Sequence, residues 1–234
     1  MNFEELTFQK REKLKPELEI EVKSGYEDFI PEEFKKNPIG YFETKGINIK
    51  TGEIKRDDIG VVKEDPSAVK ELPMWVDKNR KELQVIGKRV NIEKGKVGES
   101  GNPFYEYKMI ETVRSIGLPA PKLIAKAEQQ EARLILMEKI IGIGWYEKNA
   151  LKLKERGYSD EDIEILKQQA EKQMNELKEK FEEAGIIRDW KLKDMIFDID
   201  IENKKIKNIT PTDFERTKID EIKLDGYRKK NIKL

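Results

Sequence analysis

The sequence predicts an α+β protein in which a strand-rich part is followed by a mostly helical part. From Ile39 to Val90, short apolar runs alternate with turn residues, a pattern typical of strands. A long helix is predicted from about Asp160 to Ala184, because Ser159 and Asp162 have the spacing of a capping box. Two further β-like runs, "MIFDIDI" and "KIKNITPTDF", follow that helix. This order favours a small β-rich lobe with one helix, joined to a reduced helical lobe.

Composition narrows the chemistry that a protein of 234 residues can perform. The chain has neither His nor Cys, which excludes Ser-His-Asp hydrolysis, His- or Cys-ligated metals and disulfides. Catalysis would therefore depend on carboxylates, Lys, Arg, hydroxyl groups and a metal held by oxygen. Basic and acidic residues number 47 each, which argues against nucleic acid or an anionic membrane as the main partner.

The first part of the chain is predicted to be an extension to the main body. Residues 1–38 are highly charged and interrupted by Pro16, Pro31 and Pro38, which favours short helices. Alternating segments around Thr51-Gly52 predict a hairpin. The N-terminus lacks the apolar stretch of a signal peptide, and no run is long enough to span a membrane, so a cytoplasmic protein is expected. Secretion as an effector, by a route without a cleaved signal, stays open.

Between residues 59 and 140, strands are predicted to surround one helix. "IGVVKED", "AVKELPMWVD" and "ELQVIGKRVN" are β-like, and the Gly-rich "EKGKVGESGNP" predicts a flexible loop. "FYEYKMIETVRSIG" has its apolar residues near one helical face, and Gly117 should end the helix. "PKLIAKAE" and "ARLILMEKI" predict a strand pair.

Two charged motifs flank the predicted C-terminal hairpin. "IRDWKLKD" follows the end of the long helix at Gly185, and "TDFE" ends the hairpin. A solvated loop would explain these charges taken alone. Their order after a long helix nevertheless resembles the protein-kinase-like superfamily, in which H-R-D-x-x-x-x-N precedes a hairpin that ends in D-F-G.

The resemblance implies a role for each charged residue. Asp189 falls on the catalytic base, and Lys191 on the lysine that steadies the transferred phosphoryl group. Asp194 and Asp213 fall on the two metal-binding positions, and carboxylates suit Mg²⁺. Lys191 as a solvated surface residue, and Trp190 as a packing residue, are the plain alternatives.

Upstream residues follow the same order of motifs. "QVIGKR" resembles the third kinase strand, which makes Lys88 the expected ligand of the α- and β-phosphates and Glu106 its partner. Lys63 and Glu111 are the competing candidates. The stretch "GLPAPKLIA" with "LILMEKIIG" resembles aminoglycoside phosphotransferases, RIO-type and other small atypical kinases. The resemblance further implies that Ser67 binds nucleotide and that Met137 is the gatekeeper. The implied hinge, whose backbone groups would bind adenine, is formed by Glu138, Lys139 and Ile140.

Several departures from the family pattern affect the expected function. No G-x-G-x-x-G precedes Lys88, and "KEDPSAV", with Ser67, stands in its place. Ile187, Asp194 and Glu215 replace the usual His, Asn and Gly, and no A-P-E motif follows. The truncated plan is similar to that of minimal bacterial effector kinases.

The resemblance implies a two-lobed protein-kinase-like fold with an N-terminal extension (1–58), an N-lobe with hinge (59–140) and a minimal C-lobe (141–234). The implied function is ATP- and Mg²⁺-dependent phosphoryl transfer to a hydroxyl group, with Ser or Thr of a protein favoured as acceptor. A pseudokinase that binds nucleotide or a partner, and a small-molecule kinase, are the alternatives. Nothing in the sequence identifies the substrate or the oligomeric state.

Overall fold

A computed structural model describes residues 18–48, 69–91, 104–129, 132–145 and 147–231. The predicted hairpin at Thr51-Gly52, the segment that contains Lys63 and Ser67, and the whole Gly-rich loop lie outside these residues.

A six-stranded sheet, antiparallel throughout its described pairings, forms the first part of the molecule. Its strand order is β1-β7-β8-β6-β3-β2. The strands are β1 (Glu19–Val22), β2 (Ile47–Asn48), β3 (Val69–Glu71), β6 (Val85–Asn91), β7 (Leu123–Gln129) and β8 (Ala132–Glu138). A short separate pair, β4 (Trp75–Val76) and β5 (Glu82–Leu83), lies between β3 and β6 along the chain.

Both edges of this sheet come from the segment that was predicted to be an extension. β1 pairs with β7, and β2 pairs with β3. Between them lie two short helices: α1 (Glu32–Lys36), within the segment predicted to form short helices, and α2 (Pro38–Lys45), where strands were predicted from Ile39 onward. Asn37 caps α2 by accepting a hydrogen bond from the Gly40 N–H at 2.9 Å. Residues 19–48 are thus part of the sheet layer rather than separate from it, while the boundary near residue 58 lies outside the described residues.

The two faces of the sheet pack against different helices, because successive strand residues point to opposite sides. Leu134 and Leu136 of β8 pack in a cluster with residues of α1 and α2, such as Phe34 and Phe42. Ile135, one position along, packs in a cluster with α3 (Tyr105–Ser115). The predicted helix α3 is confirmed, and it ends before Gly117, whose φ is +80°.

The second part of the molecule is organised by the predicted long helix, α5 (Asp160–Glu183), which follows α4 (Glu147–Glu155). The capping box of Ser159 and Asp162 is present. One stretch of α5 packs against the hairpin formed by β11 (Met195–Asp200) and β12 (Lys205–Pro211). A short strand, β9 (Ile143–Gly144), pairs with β11. Its C-terminal turns, with Leu177 and Phe181, belong to the cluster around α3.

After α5 the chain forms β10 (Ile186–Ile187), which pairs with β13 (Lys218–Ile219). α6 (Glu221–Asn231) follows. Gly185, with φ +75°, precedes β10, and a Cβ there would lie 2.7 Å from the Asp220 carbonyl oxygen. β10 and β13 therefore bring the start of the "RDWKLKD" loop beside the end of the "TDFE" segment.

The described residues form a mixed α+β structure with antiparallel sheets, as predicted. No helix within the described ranges is both long and apolar enough to cross a membrane.

Candidate active site

The site begins with Lys88, which lies on β6 near the middle of the sheet. Its Cα pairs with Ile135 on one side and Val69 on the other. Gly87 points to the opposite face, where a Cβ would lie 2.8 Å from the ring of Phe42. Because directions alternate along a strand, Lys88 faces α3.

Lys88 makes two ion pairs in this interior position. Its Nζ lies 2.8 Å from Oε2 of Glu106 and 2.6 Å from Oε1 of Glu215. The side chains of Lys88 and Glu106 are only 12% and 6% exposed, whereas that of Glu215 is 46% exposed. The predicted contact between Lys88 and Glu106 is present. The competing acid, Glu111, pairs instead with Lys23.

The charges of this cluster depend on one another. Burial on its own lowers the pKa of Lys88, but the carboxylates of Glu106 and Glu215 reverse this effect and raise it. Burial raises the pKa of Glu106, and Lys88 opposes that shift. The two carboxylates therefore favour the charged ammonium form of Lys88.

Glu106 also connects the pair to the "TDFE" segment. It is the second residue of α3, and its Oε1 accepts a hydrogen bond from the backbone N–H of Phe214 at 3.4 Å. Phe214 is fully buried in the cluster around α3. Its exposed neighbour Asp213 accepts a hydrogen bond from the Glu215 N–H at 3.2 Å. The buried ring of Phe214 thus fixes the backbone position of its two neighbours, Asp213 and Glu215.

A pair of hydrogen bonds joins this segment to the "RDWKLKD" loop. The carbonyl oxygen of Asp194 accepts from the N–H of Thr212 at 2.9 Å and from its Oγ1 at 3.0 Å. Partial burial raises the pKa of the Asp194 carboxyl group, and the negative charge of Asp213 raises it further. The carboxylates of the two predicted metal ligands are therefore close enough for their charges to interact.

Arg188 occupies the interior between the two motifs. Its guanidinium carbon lies 5.1 Å from the centre of the Trp190 ring and 4.8 Å from that of Phe214. Its Nε donates to the carbonyl oxygen of Asp189 at 3.3 Å, and its Nη1 has no hydrogen-bond partner among the described residues. Burial lowers the pKa of Arg188, and four acids oppose this shift: Asp213, Asp194, Glu106 and Asp189.

The predicted catalytic pair lies on the surface. Asp189 and Lys191 are 63% and 52% exposed, and Lys191 Nζ lies 3.6 Å from Asp189 Oδ2. Trp190, between them, is half-buried and packs edge-on against Phe181 at 5.1 Å between ring centres. The packing alternative for Trp190 is therefore present in the structure.

The acids of the site fit a hard cation, although they do not form a complete cage. No group of three or more acidic side chains among the described residues is arranged to hold a metal ion. Mg²⁺, however, is commonly bound by one or two carboxylates together with phosphate oxygens and water. Asp194 and Asp213 stay the predicted ligands for such an ion.

The residues predicted to form the gatekeeper and the hinge lie at the end of β8 and just beyond it. Met137 is buried, while Glu138 and Ile140 are half-buried. The N–H of Glu138 donates to Lys122 O, and that of Lys139 donates to Gln84 O, both at 2.9 Å. These two N–H groups are thus already used within the protein, and an adenine contact by these residues stays a prediction.

The structure shows two contacts at the site that the sequence does not predict. Glu215 appears in the sequence only as a departure from D-F-G, and its position beside Lys88 has no local sequence signal. Tyr26 donates a hydrogen bond to the carboxylate of Glu138. Burial and then this carboxylate raise the pKa of Tyr26 to about 12. No local sequence signal points to Tyr26, because it lies in a highly charged segment that predicts an extension.

Comparison with known proteins gives likenesses to solved structures and no relative by sequence. No family model matches the chain, and no curated protein matches it. The chain is similar to the crystal structure of Rad53 1-466 in complex with AMP-PNP, with 17% identity and a TM-score of 0.42. The match covers 80% of this chain and 43% of that one, so the chain spans less than half of the length of the structure it matches.

Proposed function

We propose that this protein is an ATP- and Mg²⁺-dependent phosphotransferase with a kinase-like arrangement of two lobes. The observation that carries the proposal is the interior ion pair of Lys88 and Glu106, which is joined through the Phe214 N–H to the acidic segment around Asp213. A charged lysine is costly to bury and needs a reason to be there. Binding of phosphate beside two metal-ligating carboxylates supplies that reason.

Each side chain has a role in this proposal. Lys88, positioned by Glu106, binds the α- and β-phosphates, and Asp194 and Asp213 hold the metal. Asp189 orients the acceptor hydroxyl group and accepts its proton. Lys191 offsets negative charge that develops on the phosphoryl group. When bound, ATP supplies the phosphoryl group, and Mg²⁺ neutralises charge between the β- and γ-phosphates.

The acceptor that we favour is Ser or Thr of a protein. The exposure of Asp189 and Lys191 supports this choice, because an exposed base can meet a hydroxyl group on a macromolecular surface. Between α5 and the last described residue lie the β11–β12 hairpin, the β10–β13 pair and a single further helix, α6.

Transfer of label from γ-labelled ATP tests the proposal. Wild-type protein with Mg²⁺ should label itself or an added protein substrate, and Asp213→Ala should abolish labelling while the fold is retained. The matched control is Asp225→Asn, an exposed acid on α6 that pairs with Arg228. Equal labelling by wild type and Asp213→Ala would refute the assignment of Asp213.

A pseudokinase is the second candidate, and one contact favours it. Glu215 already occupies Lys88, the group on which a phosphate would bind. A thermal-shift titration with ATP, with and without Mg²⁺, separates the candidates, since a bound ligand stabilises the folded state by mass action. Metal-dependent stabilisation together with labelling supports the enzyme, whereas stabilisation without labelling supports the pseudokinase.

A further inference from the structure

Glu215 pairs with Lys88 although Lys88 already has a buried counter-ion. Glu106 and Glu215 lie 2.8 and 2.6 Å from the same ammonium group. An ammonium group has three N–H donors. Two carboxylates therefore surround a cation that one of them would neutralise.

The two acids differ in their freedom to leave. Glu106 is 6% exposed and is held by the Phe214 N–H, so it has no path to solvent without loss of the interior packing. Glu215 is 46% exposed, and its carboxylate can turn into water by rotation of its side chain. Glu106 is thus a permanent partner of Lys88, and Glu215 is an exchangeable one.

The backbone directs Glu215 toward Lys88. Its N–H donates to Asp213 Oδ1, and the following turn is closed by the Thr217 N–H and Phe214 O at 3.2 Å. The Tyr105 hydroxyl group, on α3, donates to the Thr217 carbonyl oxygen. The segment is tied to the same helix that carries Glu106, so the approach of Glu215 to Lys88 is built into the fold.

We infer that Glu215 competes with an incoming anionic group for Lys88, and that nucleotide binds only after the Glu215 carboxylate has moved away from Lys88. This inference rests on the proposed function. A phosphate that reaches Lys88 would otherwise lie beside a second carboxylate, and like charges at that distance repel. Only the molecules in which Glu215 has released Lys88 bind nucleotide. The apparent affinity is therefore the intrinsic affinity multiplied by the fraction of such molecules.

Glu215→Gln tests this inference, because it removes the charge and keeps the shape of the side chain. Its dissociation constant for ATP with Mg²⁺ should be on the order of ten-fold lower than that of wild type, as expected if about one molecule in ten has Lys88 released. Isothermal titration calorimetry gives the constant, and circular dichroism checks the fold. The matched control, Glu202→Gln, changes an exposed acid in the β11–β12 turn and should bind as wild type.

The gain should also depend on Lys88. In a Lys88→Met background, Glu215→Gln should give no gain in affinity, and a gain that persists there overturns the inference. If wild type binds ATP through Lys88 and Glu215→Gln binds equally or more weakly, the inference fails while the proposed function stands. If neither wild type nor Glu215→Gln binds ATP, the inference fails together with the proposed function.

Discussion

Two lysine–acid pairs lie in the candidate site, and they differ in almost every physical respect. Lys88 and Glu106 are enclosed by the sheet and α3, with 12% and 6% of their side chains exposed. Lys191 and Asp189 lie 3.6 Å apart on a surface loop, with about half or more of each side chain in contact with solvent. The first pair is fixed by the fold, while the second is free to adapt.

In the proposed enzyme, the interior pair serves nucleotide binding, and the exposed pair serves the reaction with the acceptor. Interior charges keep a fixed position, because a move would leave one of them desolvated without a partner. Exposed charges are screened and flexible, and they gain a fixed geometry only from a bound substrate. In the proposed enzyme the position of Lys88 is thus set by the fold, whereas the groups that meet the acceptor are ordered by the acceptor.

The largest effect is expected from removal of the interior cation. Lys88→Met leaves Glu106 buried without its counter-ion and should lower the free energy of unfolding by about 3 kcal/mol. Lys191→Met removes an exposed cation and should stay within about 0.5 kcal/mol of wild type. Urea unfolding at neutral pH measures both. Equal losses would remove the contrast between the two pairs.

A double variant identifies the cause of the loss. Because Glu106→Gln makes the stranded acid neutral, Lys88→Met with Glu106→Gln should be more stable than Lys88→Met alone. If the double variant is no more stable than Lys88→Met, the loss of stability comes instead from the missing packing contacts of the lysine side chain.

A smaller effect is expected at Arg188, the residue that connects the two regions. Its planar guanidinium group stacks between Trp190 and Phe214 and bonds to the Asp189 carbonyl. Arg188→Lys keeps the charge but loses the stack and this bond, so the free energy of unfolding should fall by about 2 kcal/mol. The exposed Arg156→Lys is the control and should unfold as wild type does. An unchanged Arg188→Lys would mean that charge alone is needed there.

Sequence patterns predicted the elements whose signals are local. The capping box located the start of α5, and a left-handed glycine marked the end of α3. β1 was missed, since four residues that alternate Glu-Ile-Glu-Val are held as a strand by their pairing with β7. α6 was also missed, because its apolar pattern is weak and Leu224 is its one fully buried hydrophobic residue.

The candidate site was predictable to the extent that its motifs have a fixed order. The order of motifs pointed to the contact between Lys88 and Glu106, which are 18 positions apart. It could not show that Arg188 would be enclosed by two rings, since Phe214 comes from a different element. It also could not show that Glu215 turns toward Lys88, because that depends on the tertiary position of the turn.

The smallest effect is expected at an ion pair outside the site, where acid titration makes a weak contact measurable. A hydrogen bond from Lys204, together with the Ser159 N–H, lowers the pKa of Asp162 to about 2. A lowered carboxyl pKa stabilises the folded state above the ordinary value of 3.8, and that contribution is lost as the pH falls toward 2. Lys204→Met should therefore make the loss of stability over this interval shallower, and its exposed neighbour Lys205→Met should leave it unchanged. Urea unfolding between pH 5 and pH 2 measures the slopes, and equal slopes for the two variants would show that Lys204 does not set the titration of Asp162.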